Sequence, residues 1–115
     1  MTVHMYGIAN CDSIKKARKW LTEHKINYTF HDYKKEGVDA EDLNIWCDKV
    51  GWEILLNKRG TTWRKLSDAD KNSVDEDKAK ALLGEYTSMI KRPVLVFSGH
   101  VEVGFSEVAY KALFQ

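Results

Sequence analysis

Proline occurs once in the 115 residues, at Pro93, and cysteine twice, at Cys11 and Cys47. Two cysteines in separate segments make no disulfide framework of the kind that staples small secreted domains, so they read as free thiols. Charge of one sign is not in excess. Lys and Arg number 18 against 17 Asp and Glu, a net of +1 at pH 7. A near-neutral chain has no electrostatic footprint for nucleic acid or an anionic membrane surface, and neither is expected as a partner. No apolar run approaches the ~20 residues of a membrane-spanning helix. The opening residues, Met1-Thr2-Val3-His4-Met5-Tyr6, lack the basic-then-apolar layout of a secretory signal, which leaves the cytoplasm as the expected compartment. His4, His24, His31 and His100 are scattered, none at zinc-ligand spacing from a cysteine or carboxylate, so no metal is expected. Repeats, linkers and low-complexity tracts are absent, and residues 1–115 read as a single domain.

What is present is a set of alternating strand and helix signals. Val3 to Ile8 is an apolar run of strand formers closed by Asn10. From Ser13, Ile14, Ala17, Trp20 and Leu21 recur at helical spacing, with cationic residues on the opposite side. Asn27 to Tyr33 alternates as a second strand, expected parallel to the first through a right-handed crossover. Lys34 to Val38 reads as a polar loop. Asp39 caps a helix to about Val50, with Leu43, Trp46, Cys47 and Val50 on its apolar face. Trp52 to Leu56 reads as one helical turn, and Asn57 to Lys65 as a basic loop. A short acidic turn starts at Ser67. Ser73 or Asp75 opens a further helix with Ala79, Leu82, Leu83, Tyr86 and Ile90 inward. Val94 to Phe97 is a fully apolar strand, Ser98-Gly99-His100 a hairpin turn, and Val101 to Val103 the returning strand. Ser106 with Glu107 starts the last helix, with Val108, Ala109, Ala112 and Leu113 packing. Strand, helix, strand, a helical insert of roughly sixty residues, hairpin and helix imply one mixed sheet with helices on its faces, an α/β fold.

The chemistry points to Cys11. It follows a buried strand and stands at the start of an amphipathic helix, where unpaired N–H groups and the helix dipole favour an anion. The thiolate is the reactive form of cysteine. The bland alternative is a small buried hydrophobe. A free thiol titrates near ~8.5, and a dipole contribution of ~0.3–1 kcal/mol is smaller than the ~1.4 kcal/mol of one pKa unit. Strong activation therefore needs a cation. Lys15, four residues on, shares the Cys11 face. Asp12 opposes ionisation, an effect that pairing with Lys16 would mute. Ser13 either donates to the thiolate or simply favours the helix start. Ile14 stands three residues after Cys11, so there is no Cys-x-x-Cys, and a resolving thiol must come from solution or from Cys47. An apolar helical face makes Cys47 a core residue. Lys58, Arg59, Arg64 and Lys65 form either a solvated loop or a carboxylate-binding site, and Trp63 a lid or a loop anchor. Arg92, just before the lone proline at a strand start, is expected at a sheet edge where it can face Cys11.

Four ordered motifs together look like the YffB branch of the ArsC/Spx-like family. They are Tyr6-Gly7-Ile8-Ala9-Asn10-Cys11-Asp12-Ser13 with Lys15-Lys16-Ala17-Arg18, Leu55-Leu56-Asn57-Lys58-Arg59-Gly60-Thr61-Thr62-Trp63, Lys91-Arg92-Pro93-Val94, and Gly104-Phe105-Ser106-Glu107-Val108. The resemblance covers essentially the whole chain. It implies a thioredoxin-like fold, a mixed four-stranded sheet with a helical insertion between the second and third strands, and a cis bond before Pro93. It also implies a monothiol, glutathione-dependent thiol–disulfide reductase with Cys11 and Arg92 catalytic and Ser13 and Lys15 supporting the thiolate. Asn57, Lys58, Arg59 and Pro93 are then the binding residues for glutathione or an oxyanion. Glutathione is the expected co-substrate and partner, alongside a small-molecule or protein disulfide. No cofactor is expected to be tightly bound, and the chain is expected to be a monomer. Arsenate reduction and a Spx-like regulatory or protein-binding role are the alternatives. Against the first, Gly7 stands where arsenate reductases of this family carry a histidine, and Asn57 and Gly104 align with two of their three oxyanion-binding arginines. Against the second, Ile14 removes the Cys-x-x-Cys of Spx-type regulators.

Overall fold

The computed structural model describes residues 2–115, which divide into two compact units, residues 2–33 with Arg92–Gln115 and residues Lys34–Lys91.

The first unit holds the sheet. Strand β1 (Val3–Gly7) pairs in parallel with β2 (Thr29–Asp32) and antiparallel with β3 (Val94–Phe97), which pairs antiparallel with β4 (His100–Val103). The order across the sheet is β2-β1-β3-β4. Helix α1 (Asp12–Glu23) carries the chain between the two parallel strands, as a crossover must. Ile14, Ala17, Trp20 and Leu21 form its buried stripe, and they pack with Val3, Met5, Leu95, Phe97 and Tyr110 in one core. The alternation of β1 sends Val3 and Met5 into that core and His4 and Tyr6 to the other face. There the His4 Nδ1 and His31 Nε2 atoms lie 2.9 Å apart, and Tyr6 stacks on His31 with ring centroids 4.5 Å apart. Ser98 (φ 48°) and Gly99 (φ 76°) make the tight turn between β3 and β4.

The second strand is shorter than its alternation suggests. It ends at Asp32, and Tyr33–Glu36 is a helical turn, α2, in place of the expected loop. The last helix, α8 (Glu107–Phe114), is capped by the Ser106 hydroxyl, which accepts from the Ala109 N–H at 3.1 Å. Its buried face is rotated from the expected one. Val108 is 81% exposed, while Tyr110 is fully buried, with Phe105 and Trp20 edge-on to its ring. Aromatic residues at i and i+4, Tyr110 and Phe114, cover more apolar surface than Val108 could, and they set the helix rotation.

The second unit is helical. It contains α3 (Ala40–Val50), α4 (Trp52–Leu55), α5 (Thr61–Arg64), α6 (Asp68–Asn72), α7 (Glu76–Glu85) and a 3₁₀ turn, Thr87–Met89. Helix α3 packs on α4 and α7. Leu43, Trp46, Cys47, Leu55, Leu56, Ala79, Leu82, Leu83, Met89 and Ile90 are buried. Asp39 stands at the N-cap of α3 with no side-chain cap hydrogen bond, whereas Asp75 caps α7 through the Lys78 N–H at 2.9 Å. Gly51 (φ 89°) ends α3, a backbone conformation only glycine adopts readily. Tyr86, expected inward, is exposed, because α7 stops at Glu85 and its apolar period stops with it.

Candidate active site

Strand register brings three chain segments to one end of the sheet. Gly7, the last residue of β1, is level with Asp32, the last of β2, and Tyr6 is level with Val94, the first of β3. The chain leaving β1 therefore delivers Cys11 beside the residues that follow β2 and precede β3, Tyr33 and Arg92. The Arg92–Pro93 peptide is cis, as the resemblance implies. Pro93 is buried, and its carbonyl accepts the Gly104 N–H at 2.8 Å. Because β3 has a neighbour on each side, Arg92 lies at the end of an interior strand rather than at a sheet edge. Pro93 is tolerated there because it precedes the first paired residue and owes the ladder no N–H.

Cys11 is the N-cap of α1, one position before its first turn, with extended backbone (φ −146°, ψ 133°). The Arg92 Nε donates to the Cys11 Sγ at 3.3 Å. Burial alone would push the thiol up. The hydrogen bond from Arg92, the backbone N–H groups of Ile14 and Ser13 and the Arg92 charge outweigh it, and the thiol titrates below its ordinary value. The cap makes no hydrogen bond of regular geometry, yet those two N–H groups, third and second of the helix, face the sulfur closely enough to favour its anion. Cys11 is only partly buried, so the sulfur stays within reach of solvent.

Of the expected supports, Ser13 acts through its main chain. The Lys15 ammonium is directed to the Asn10 side-chain oxygen at 3.4 Å, and it is not among the groups that lower the thiol. Arg92 supplies the cation instead. Tyr33 was not expected at the site. It is 1% exposed, and the Arg92 guanidinium donates to its phenol oxygen. In the sequence Tyr33 reads only as the last residue of an alternating strand. Its sole signal is an aromatic placed where the strand gives way to Lys34-Lys35-Glu36.

Asn57, Lys58 and Arg59 lie in the second unit, on the loop after α4. The Asn57 side-chain oxygen accepts the Arg59 N–H at 3.0 Å, the Asn57 N–H donates to the Met89 carbonyl at 2.8 Å, and the Lys58 ammonium stands 5.5 Å from the Trp63 ring centroid. The Asn57 hydrogen bonds fix the loop. Cys47, also in that unit, is 3% exposed, and burial pushes its thiol up. Among the described residues no group of three or more His, Cys, Asp or Glu side chains is placed to hold a metal, and no helix is long and apolar enough to cross a membrane.

A helix-capping cysteine after β1, faced by an arginine that precedes a cis proline in a mixed four-stranded sheet, defines an α/β protein that brings a cysteine and an arginine together at one end of its sheet. The chain belongs to the ArsC family, whose model matches residues 6–113. It is similar to a solved YffB protein at 51% identity, covering 98% of this chain and 99% of that one with a TM-score of 0.94. An arsenate reductase (ArsC) related protein from Brucella melitensis is 52% identical, covering 100% of this chain and 96% of that one with a TM-score of 0.80. An uncharacterized protein of Haemophilus influenzae is 44% identical over 112 residues, 97% of this chain and 98% of its own.

Proposed function

We propose that the protein is a cytoplasmic thiol–disulfide reductase that works through one cysteine and uses glutathione. The observation that carries this reading is the 3.3 Å hydrogen bond from Arg92 Nε to the Cys11 sulfur at the start of α1. The Cys11 thiolate attacks the glutathione sulfur of a mixed disulfide R–S–S–G, forming Cys11–S–S–G and releasing RS⁻. A second glutathione thiolate attacks the glutathione sulfur of that adduct, forming oxidised glutathione and restoring the Cys11 thiolate. The net change is reduction of R–S–S–G to the thiol with oxidation of one glutathione. Arg92 stabilises the sulfur as nucleophile and as leaving group, since both are thiolates. The external thiol is required because no cysteine stands three residues after Cys11 and Cys47 is buried and hard to ionise. Asn57, Lys58, Arg59 and Pro93 are the residues proposed to bind glutathione.

Mass spectrometry after incubation with oxidised glutathione tests this reading, with Cys11→Ser and Cys47→Ser beside the wild type. The expected result is one glutathione adduct, lost only in Cys11→Ser and removed by added glutathione. An adduct on Cys47, or none, overturns it.

A further inference from the structure

Arginine has five donors in a planar fork, and its Nε is engaged with the Cys11 sulfur. A guanidinium that pivoted about its long stem would present that N–H only part of the time. The end of β2 supplies what fixes it. Tyr33 follows Asp32, the residue level with Gly7, and a Cβ on Gly7 would lie 3.8 Å from the Arg92 Cβ, so Tyr33 and Arg92 belong to one tight corner. The phenol is sealed from solvent and takes a hydrogen bond from the guanidinium.

We propose that Tyr33 is a positioning residue that locks the Arg92 guanidinium in the plane from which its Nε–H reaches the Cys11 sulfur. The inference rests on reading Cys11 as the reacting thiol. It assigns the tyrosine a part in setting that thiol's reactivity, through Arg92 and without touching substrate.

The choice of a phenol has a physical reason. A carboxylate at this point would orient the arginine equally well, but its charge would cancel the one that the sulfur needs. Tyr33 stays neutral: burial is the largest influence on it, and its hydroxyl is pushed up to about 12. The other charges felt at this spot are Arg92 itself, Asp32 and the Cys11 sulfur. The phenol thus fixes the direction of the cation and leaves its charge available to the sulfur.

The test is a double-mutant cycle read by alkylation of Cys11 with iodoacetamide across pH, in wild type, Tyr33→Phe, Arg92→Ala and the double variant. This readout needs no disulfide substrate or glutathione, so it stands apart from the fate of the proposed reaction. Tyr33→Phe is expected to move the inflection upward and slow alkylation near neutral pH by about threefold or more, with no further change when added to Arg92→Ala. An unchanged inflection in Tyr33→Phe, or an equal shift in the Arg92→Ala background, overturns the inference. A second measurement needs no substitution. In ¹⁵N-labelled wild type, the Arg92 guanidinium is expected to show slowed rotation, with separate Nη signals, and a single averaged signal contradicts the lock.

Discussion

Gly7 and Ile14 share one volume: a Cβ built on Gly7 would overlap the Cδ1 of Ile14 and lie 3.0 Å from its Cγ1. Ile14 is fully buried in the core and donates one of the N–H groups that favour the Cys11 anion. The bare backbone of β1 at Gly7 therefore lets the start of α1 seat against the sheet. Gly7→Ala is expected to destabilise the fold by ~1–3 kcal/mol through overpacking, because the fully buried Ile14 side chain must shift to admit the added methyl. Urea denaturation checks this. Gly7→His, which puts a larger side chain at the same point, is expected to lose more stability, and a gain of stability would contradict the packing argument.

Arg92 is expected to govern the sulfur. Arg92→Ala removes the charge and the hydrogen bond together, and alkylation of Cys11 near neutral pH should slow by about tenfold. Arg92→Lys keeps a charge without the planar fork and should fall between. Competitive alkylation followed by mass spectrometry measures both. A Lys15→Ala variant serves as the contrast, with little change expected, since the Lys15 ammonium is directed to Asn10.

Much of this site is legible in the sequence. A strand followed by Cys11 and a helical stripe at Ile14, Ala17, Trp20 and Leu21 places a thiol at a helix start, and Arg92 beside the lone proline marks the second partner. Strand pairing is not legible from one residue's neighbours. The interior position of β3, which puts Arg92 inside the sheet's end rather than at its edge, comes from pairing between residues about ninety apart in the chain. Tyr33 escapes for the same reason, because its partner Arg92 belongs to another segment. Lys15 misled because i, i+4 spacing sets which face a side chain can reach and not where its long stem goes. Val108 misled because an eight-residue helix with apolar residues on several sides does not announce which side is inward.

The two cysteines should separate cleanly by reactivity. Cys47 is buried and its thiol is pushed up, while the Cys11 thiol is lowered. Under native conditions at neutral pH, limiting iodoacetamide should label Cys11 alone, and Cys47 only after denaturant is added. Early labelling of Cys47 would show that its helix face opens in the native state.

Alkaline stability carries a further mark of the structure. Burial raises the Tyr33 hydroxyl to about 12 and raises that of Tyr110 as well, from an ordinary value of 10.0. A raised folded-state value means the stabilising contribution is intact below the unfolded value and is lost as pH climbs through the folded one. Thermal melts should therefore lose stability progressively from pH 10 toward pH 12. Tyr33→Phe should weaken that dependence.

The central claim is that Cys11 is held as a thiolate by Arg92 and the start of α1. The pH dependence of its alkylation rate in wild-type protein tests this most directly. The account predicts an inflection below the ~8.5 of free cysteine, with the native state gaining stability as pH rises between the folded and unfolded values. An inflection at or above that of free cysteine would contradict it.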